Sequence, residues 1–223
     1  MLTLGIDDAG RGPVIGPMVL AGCLMDKKTE TELKKLGVKD SKQLTQKRRE
    51  FLEEKIKKKA ETFEVVLSQP MEIDGENHKG VNLNELEAIK AAEIINKINK
   101  GSRKIKVVID CPSPSLTKWQ DLLKTKIDNL SNLEISCEHK ADRNHVSVSA
   151  ASILAKNTRE IEMSKLKKKY GKEIGSGYTS DPTTCKFLEK HAKKHKDKGI
   201  FRKTWSTWRN ACAKLTQKKL SDF

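Results

Sequence analysis

Leu2-Thr3-Leu4-Gly5-Ile6-Asp7-Asp8-Ala9-Gly10-Arg11-Gly12-Pro13-Val14-Ile15-Gly16-Pro17 leads into Met18-Val19-Leu20-Ala21-Gly22-Cys23-Leu24. Leu2–Ile6 reads as a strand, the Gly/Pro-rich stretch as a connection, and Met18–Leu24 as a second strand that pairs with the first as a hairpin. Working outward, the pattern predicts helices over 30–36 and 45–59, the latter N-capped by Thr45 and carrying Phe51, Leu52 and Ile56 at helical spacing. A third strand follows at 62–67, then a loop around Gly75 and Gly80. A helix over 84–98 has an apolar face of Leu86, Ile89, Ala92, Ile94 and Ile95. The strand Ile105–Ile109 is stopped by Pro112 and Pro114, and a helix (116–127), a strand (133–137) and a long helix (148–170) complete the run. Three strands followed by alternating helices and strands imply an antiparallel meander joined to parallel βαβ units in one mixed sheet, an α/β architecture.

The acidic residues fall at telling places in this order. Asp7 and Asp8 lie at the carboxyl end of the first strand and Asp110 at that of the fourth, where sheets of this kind collect ligands. Asp142 follows the last strand and precedes the long helix, so four carboxylates can share one sheet edge. Such a group needs cations to relieve its repulsion, and an all-oxygen donor set suits Mg²⁺ or Mn²⁺ better than Zn²⁺. Two such ions can clamp a phosphodiester for in-line attack by water. Taken singly, each residue has a simpler reading as a turn or surface group. Gly10-Arg11-Gly12-Pro13 strengthens the group reading, because glycines there let backbone N–H groups approach a sugar-phosphate closely. It matches neither the dinucleotide fingerprint nor the Gly-Lys-Ser/Thr phosphate loop.

Composition narrows the partners. With 45 Lys and Arg against 30 Asp and Glu, the net charge of +15 favours a polyanion. No apolar run approaches the roughly 20 residues of a membrane-spanning helix, and no cleavage site follows the first residues, so a cytoplasmic protein without membrane contact is expected. Five scattered cysteines point to reduced thiols. Aromatics, at 4%, are too sparse for a base-stacking platform.

The opening string Gly5-Ile6-Asp7-Asp8-Ala9-Gly10-Arg11-Gly12-Pro13-Val14-Ile15-Gly16-Pro17 resembles the signature of type 2 ribonucleases H, ribonuclease HII, in their single-chain archaeal form. Further blocks match in order: Asp40-Ser41-Lys42, Asn82-Leu83-Asn84-Glu85, Asp110 before a Cys-Pro turn, Ala141-Asp142, Ser149–Lys156 and Gly175-Ser176-Gly177-Tyr178. The likeness extends to about Trp208. It implies a ribonuclease H-like mixed five-stranded sheet flanked by helices, with a small C-terminal helical extension.

It also implies an endoribonuclease acting on RNA·DNA hybrids and on duplex DNA containing ribonucleotides. Two-metal-ion catalysis with Mg²⁺ or Mn²⁺ would cut 5′ of the ribonucleotide and leave 3′-hydroxyl and 5′-phosphate ends. Asp7, Asp8, Asp110 and Asp142 would be the catalytic, metal-binding carboxylates. The backbone of Gly10, Arg11 and Gly12 would read the 2′-hydroxyl, and Tyr178 would stack on the following sugar and favour a deoxyribose there. Lys42 and Lys156 would contact phosphate. One departure stands out, since the family has Asp-Glu where this chain has Asp7-Asp8.

The expected division is a catalytic domain over 1–174, a helical extension over 175–214 that completes the substrate site, and a polar tail over 215–223. In the tail, Gln217, Leu220 and Phe223 fit the spacing of a peptide that docks on a replication sliding clamp; a frayed polar end is the plainer reading. His191 and His195 have helical metal-pair spacing but no third ligand, and read as solvated helix residues. Phe201, Trp205 and Trp208 read as packing residues, and a monomer is expected. The competing readings are another two-metal nuclease on a related sheet and a non-catalytic, basic nucleic-acid-binding protein.

Overall fold

A computed structural model describes residues 1–39 and 41–220, with side chains in the last helix described as far as Lys214. Asp40 and residues 221–223 lie outside it.

The elements run β1 (Leu2–Ala9), β2 (Met18–Asp26), α1 (Lys27–Lys35), α2 (Gln46–Lys59), β3 (Thr62–Ser68), α3 (Pro70–His78), α4 (Leu83–Ile98) and β4 (Ile105–Asp110). They continue with α5 (Leu116–Lys124), β5 (Leu133–Glu138), the short α6 (Ala141–Asn144), α7 (Val146–Tyr170), α8 (Pro182–His191) and α9 (Ser206–Leu220). The five strands form one sheet in the order β3-β2-β1-β4-β5. β1 pairs antiparallel with β2 and parallel with β4, and β4 pairs parallel with β5, so the expected mixed sheet is present. Thr45 caps α2 as expected, its hydroxyl accepting from the Arg48 N–H at 3.3 Å. Phe51 in that helix faces outward, with the Arg48 and Lys55 cations over its ring.

The chain divides into two compact units that interleave along the sequence. The sheet unit comprises Met1–Ala9, Val19–Leu67 and Leu83–Thr158. Its core sets Val19, Ala21, Cys23 and Met25 of β2 against Leu33, Leu52, Ile56 and the Ala150–Ala155 stretch of α7. α7 crosses β1 at very short range: a Cβ on Gly5 would fall 2.1 Å from the Ser147 carbonyl carbon, so only glycine fits there.

The second unit gathers Gly10–Met18, Ser68–Asn82 and Arg159–Phe223. Its own core contains Val14, Ile15, Met163, Ile174, Phe187, Leu188, Phe201 and Trp208. Phe201 and Trp208 lie 4.4 Å apart between ring centroids, so these aromatics pack inside this unit.

Three local expectations need correction. The region around Gly75 is helical: Pro70 occupies the first turn of α3, where its missing N–H is harmless. The last helix runs to Leu220, into the stretch read as a tail. His191 and His195 are half-buried rather than solvated: both rings pack against Phe187, and that of His195 also meets Tyr170 at 5.2 Å.

Candidate active site

In the sheet unit, Asp7, Asp110 and Asp142 come together, with one oxygen from each within 4.8 Å of the others. β1 and β4 are parallel neighbours, so their carboxyl ends, and with them Asp7 and Asp110, lie side by side. Asp142 arrives by a tight turn after β5. Lys140 adopts the left-handed conformation (φ 58°), α6 begins at the next residue, and the Ala141 N–H donates to Asp110 Oδ1 at 3.2 Å. The Ser149 hydroxyl then bonds the Asp142 carbonyl at 2.6 Å and ties this turn to α7.

Asp7 is 6% exposed and Asp142 4%. Burial, reinforced by the Asp8 and Asp110 charges, raises the Asp7 carboxyl well above the usual range, although bonds from Ser152 and the Asp8 N–H (2.7 Å) oppose this. Burial also raises Asp110, with the Asp142 charge adding to the effect and Lys42 opposing it. Crowded, dry carboxylates of this kind are costly unless a cation accompanies them. The donor set is all oxygen, and so fits a hard divalent ion.

Asp8 is not among the three converging residues. Neighbouring strand side chains point to opposite faces, and Asp8, paired in register with Leu20, is half-buried beside the group.

Lys42 sits in a short 3₁₀ turn (Ser41–Gln43), close enough for its charge to act on Asp110. Lys156 lies on α7, and its ammonium donates to the buried Ser41 hydroxyl, which lies 2.7 Å from Ser152 Oγ. Ser41 and Ser152 were not singled out from the sequence. The signal was the i, i+3, i+7 spacing of Ser149, Ser152 and Lys156, which places all three on one helix face. A separate cleft of about 400 Å³ lies at the other ends of β1 and β4, lined by Thr3, Lys106 and Glu30 among others; Glu30 is its only carboxylate among the described residues and pairs with Lys27 at 2.9 Å.

Gly10, Arg11, Gly12 and Tyr178 belong to the second unit, where the turn and the Tyr178 segment meet. The Val14 N–H donates to the Gly177 carbonyl at 2.9 Å, and Gly10 takes a φ of +85°. Gly12 is exposed and Arg11 half-buried.

The residue that shapes this turn is one sequence reasoning missed. Arg202, 0% exposed, donates from Nη2 to the Gly10 carbonyl (2.6 Å), from Nη1 to that of Arg11 (2.6 Å) and from Nε and Nη2 to that of Gly16 (3.2 and 3.0 Å). Asp74 of α3 secures the next residues, accepting from the Lys203 N–H (2.7 Å), the Thr204 N–H (3.0 Å) and the Thr204 hydroxyl (2.7 Å). Gln217 and Leu220 fall where side chains are not described, and Phe223 lies outside the described residues.

Among known proteins, the sequence model of the family described as Ribonuclease HII matches residues 4–208. The chain is 43% identical over 232 residues to the ribonuclease HII of Methanocaldococcus jannaschii, covering 99% of each protein. In structure it is similar to the ribonuclease H2 of Pyrococcus horikoshii (TM-score 0.83, 42% identity, 95% of this chain and 97% of that one). It is also similar to a structure of a PCNA:RNase HII complex from Archaeoglobus fulgidus (TM-score 0.80, 37% identity, 92% and 96%).

Proposed function

Since the chain belongs to the ribonuclease HII family and is a metal-dependent endoribonuclease, we propose that Asp7, Asp110 and Asp142, with Asp8 beside them, form its catalytic centre. On this reading it hydrolyses the RNA strand of RNA·DNA hybrids and cuts 5′ of ribonucleotides embedded in duplex DNA, leaving 3′-hydroxyl and 5′-phosphate ends by two-metal-ion catalysis. The observation that carries it is the convergence of three carboxylates, two of them raised by burial and by the charge of neighbouring carboxylates. Mg²⁺ or Mn²⁺, when bound, supplies the positive charge that neutralises a phosphodiester and activates water.

The chain's own groups do the rest. Asp7, Asp110 and Asp142 hold the cations, and Ser152 and the Asp8 N–H orient Asp7. Asp8, a methylene shorter than the family's Glu, contributes charge from the edge of the group. Lys42 and Lys156 take phosphate oxygens. Arg202 draws the carbonyls of Gly10, Arg11 and Gly16 inward, which leaves the N–H groups of the exposed turn to meet a ribose 2′-hydroxyl. Tyr178 and the helical extension from residue 175 complete the substrate contacts, with the Tyr178 ring on the following sugar.

The protein is taken to work as a cytoplasmic monomer, and among the described residues no helix is long and apolar enough to cross a membrane. The Gln217, Leu220 and Phe223 spacing is read as a sliding-clamp peptide, supported by the Archaeoglobus complex.

The test is cleavage of a DNA duplex containing one ribonucleotide, with Mg²⁺, Mn²⁺ or chelator, beside an all-DNA control and an Asp110→Asn variant. Metal-dependent cutting 5′ of the ribonucleotide, absent in the variant, is the expected result. Binding without cutting would replace this reading with that of a basic nucleic-acid-binding protein.

A further inference from the structure

A single buried side chain touches both the Gly10 turn and Tyr178. Arg159, on α7, is 7% exposed, whereas the Tyr178 ring is 39% exposed. The guanidinium carbon lies 5.0 Å from the Tyr178 ring centroid, and Nη2 donates to the Ser176 carbonyl at 3.3 Å. On the other side the group presses on Gly10, where a Cβ would fall 2.3 Å from Nε. It also closes in on Gly177, where a Cβ would meet Nη2 at 3.3 Å. Both glycines take a φ of +85°, so the guanidinium fills room that only two glycines leave open.

This is a poor place to put a charge for stability alone. Burial pushes the Arg159 pKa down, Nε finds no hydrogen-bond partner among the described residues, and the bond from Nη2 to the Ser176 carbonyl is long for a charged donor. A buried cation so thinly satisfied is worse for the fold than an apolar side chain of its size. What it offers that methionine cannot is a flat, rigid cation against an aromatic face.

We propose that Arg159 is a positioning residue that fixes the spacing between the Gly10 turn and the Tyr178 ring, and so sets how strictly a deoxyribose is demanded after the ribonucleotide. The inference rests on the substrate roles given above to the turn and to Tyr178. On this proposal Arg159 acts through Tyr178 and the turn, so its loss is expected to act on selection rather than on cutting itself.

The experiment compares kcat and KM on two duplexes, one with a single ribonucleotide followed by deoxyribose and one with a continuous RNA strand opposite DNA. Wild type, Arg159→Met, Arg159→Lys, Tyr178→Ala and the Arg159→Met/Tyr178→Ala pair are assayed below the melting temperatures of all five. Arg159→Met is expected to lower the preference for the junction duplex about threefold to tenfold, the worth of a partly desolvated cation–π contact. Arg159→Lys, which keeps the charge but not the plane, recovers part of it, and the paired variant is no worse than Tyr178→Ala. If Arg159→Met does not fold, Arg159→Lys must show the same shift at smaller size. An equal loss on both duplexes would reduce Arg159 to a structural support and overturn the proposal. A preference altered by Tyr178→Ala but by neither Arg159 variant would overturn it while leaving the Tyr178 reading intact. A preference unmoved by Tyr178→Ala would remove that reading, and the proposal with it.

Discussion

The carboxylate group and the Gly10 turn are joined in sequence through Asp7, yet they are built on opposite physics. The first collects like charges: Asp7, Asp110 and Asp142 meet at strand ends, held by a few bonds such as those from the Asp8 N–H to Asp7 and from the Ala141 N–H to Asp110. The second is over-determined: Arg202 takes three backbone carbonyls, Asp74 takes three donors next to it, and Arg159 fills the space beside Gly10. On the proposed reading, the contrast teaches that one part is held in strain for a cation to relieve, while the other is held rigid before any substrate arrives.

Breaking the first part should give the largest effect on activity and the opposite effect on stability. Asp7→Asn is expected to lower cutting by at least about a thousandfold, as loss of a ligand in metal-ion catalysis does. In chelator the same variant should be about 0.5–2 kcal/mol more stable than wild type at neutral pH, the range for relief of a strained active site. The sign follows from linkage. Asp7 has a folded pKa above its unfolded one, so the folded state holds the proton longer. The penalty is absent below the ordinary carboxylate pKa, grows as pH rises from there towards the raised folded value, and is fully present above it. Subtracting wild-type from variant denaturant stability at each pH isolates this window, because carboxylates with lowered pKa values, such as Asp26 and Glu32, cancel in the difference. A flat difference would mean that Asp7 is not strained.

Breaking the second part should lower stability instead. Arg202→Ala strands buried carbonyls and is expected to cost about 3 kcal/mol or more, read from urea melts. Asp74→Ala is the milder cut, at about 1–3 kcal/mol, since it releases donors of which some can turn to water. Equal stability in either variant would deny that the turn is held from beneath. The smallest effect sharpens the comparison: Asp8→Glu, which restores the family's residue at the edge of the group, should leave single-ribonucleotide cutting within about threefold of wild type. A gain much larger than that would show Asp8 to be a working deficiency.

Much of the first part was legible in the sequence, and little of the second. Asp7, Asp110 and Asp142 stand at strand ends or just past them, positions that a period-two reading locates. Asp8 shares the same strand end, yet it is not among the three residues whose oxygens converge. Arg202 and Arg159 carry no such mark, because one arginine in a chain with so many cations is indistinguishable from the rest until the fold brings carbonyls and a ring to it. Ser41 and Ser152 are silent for the same reason, although the helical spacing of Ser149, Ser152 and Lys156 was there to read. α3 was missed because Gly75 in its middle suggested a loop, while Pro70 at its first turn was the better guide. The half-buried histidines of the second unit show that spacing alone cannot separate a solvated helix face from one that packs on aromatics.

The bonds from Arg202 to the Gly10, Arg11 and Gly16 carbonyls span 192, 191 and 186 residues of chain. During synthesis, the acidic strand and the turn that follows it are made well before Arg202, so the turn stays unclamped until that residue has emerged. A growing chain thus carries Asp7 and the Gly10 turn together long before it holds the side chain that fixes the turn.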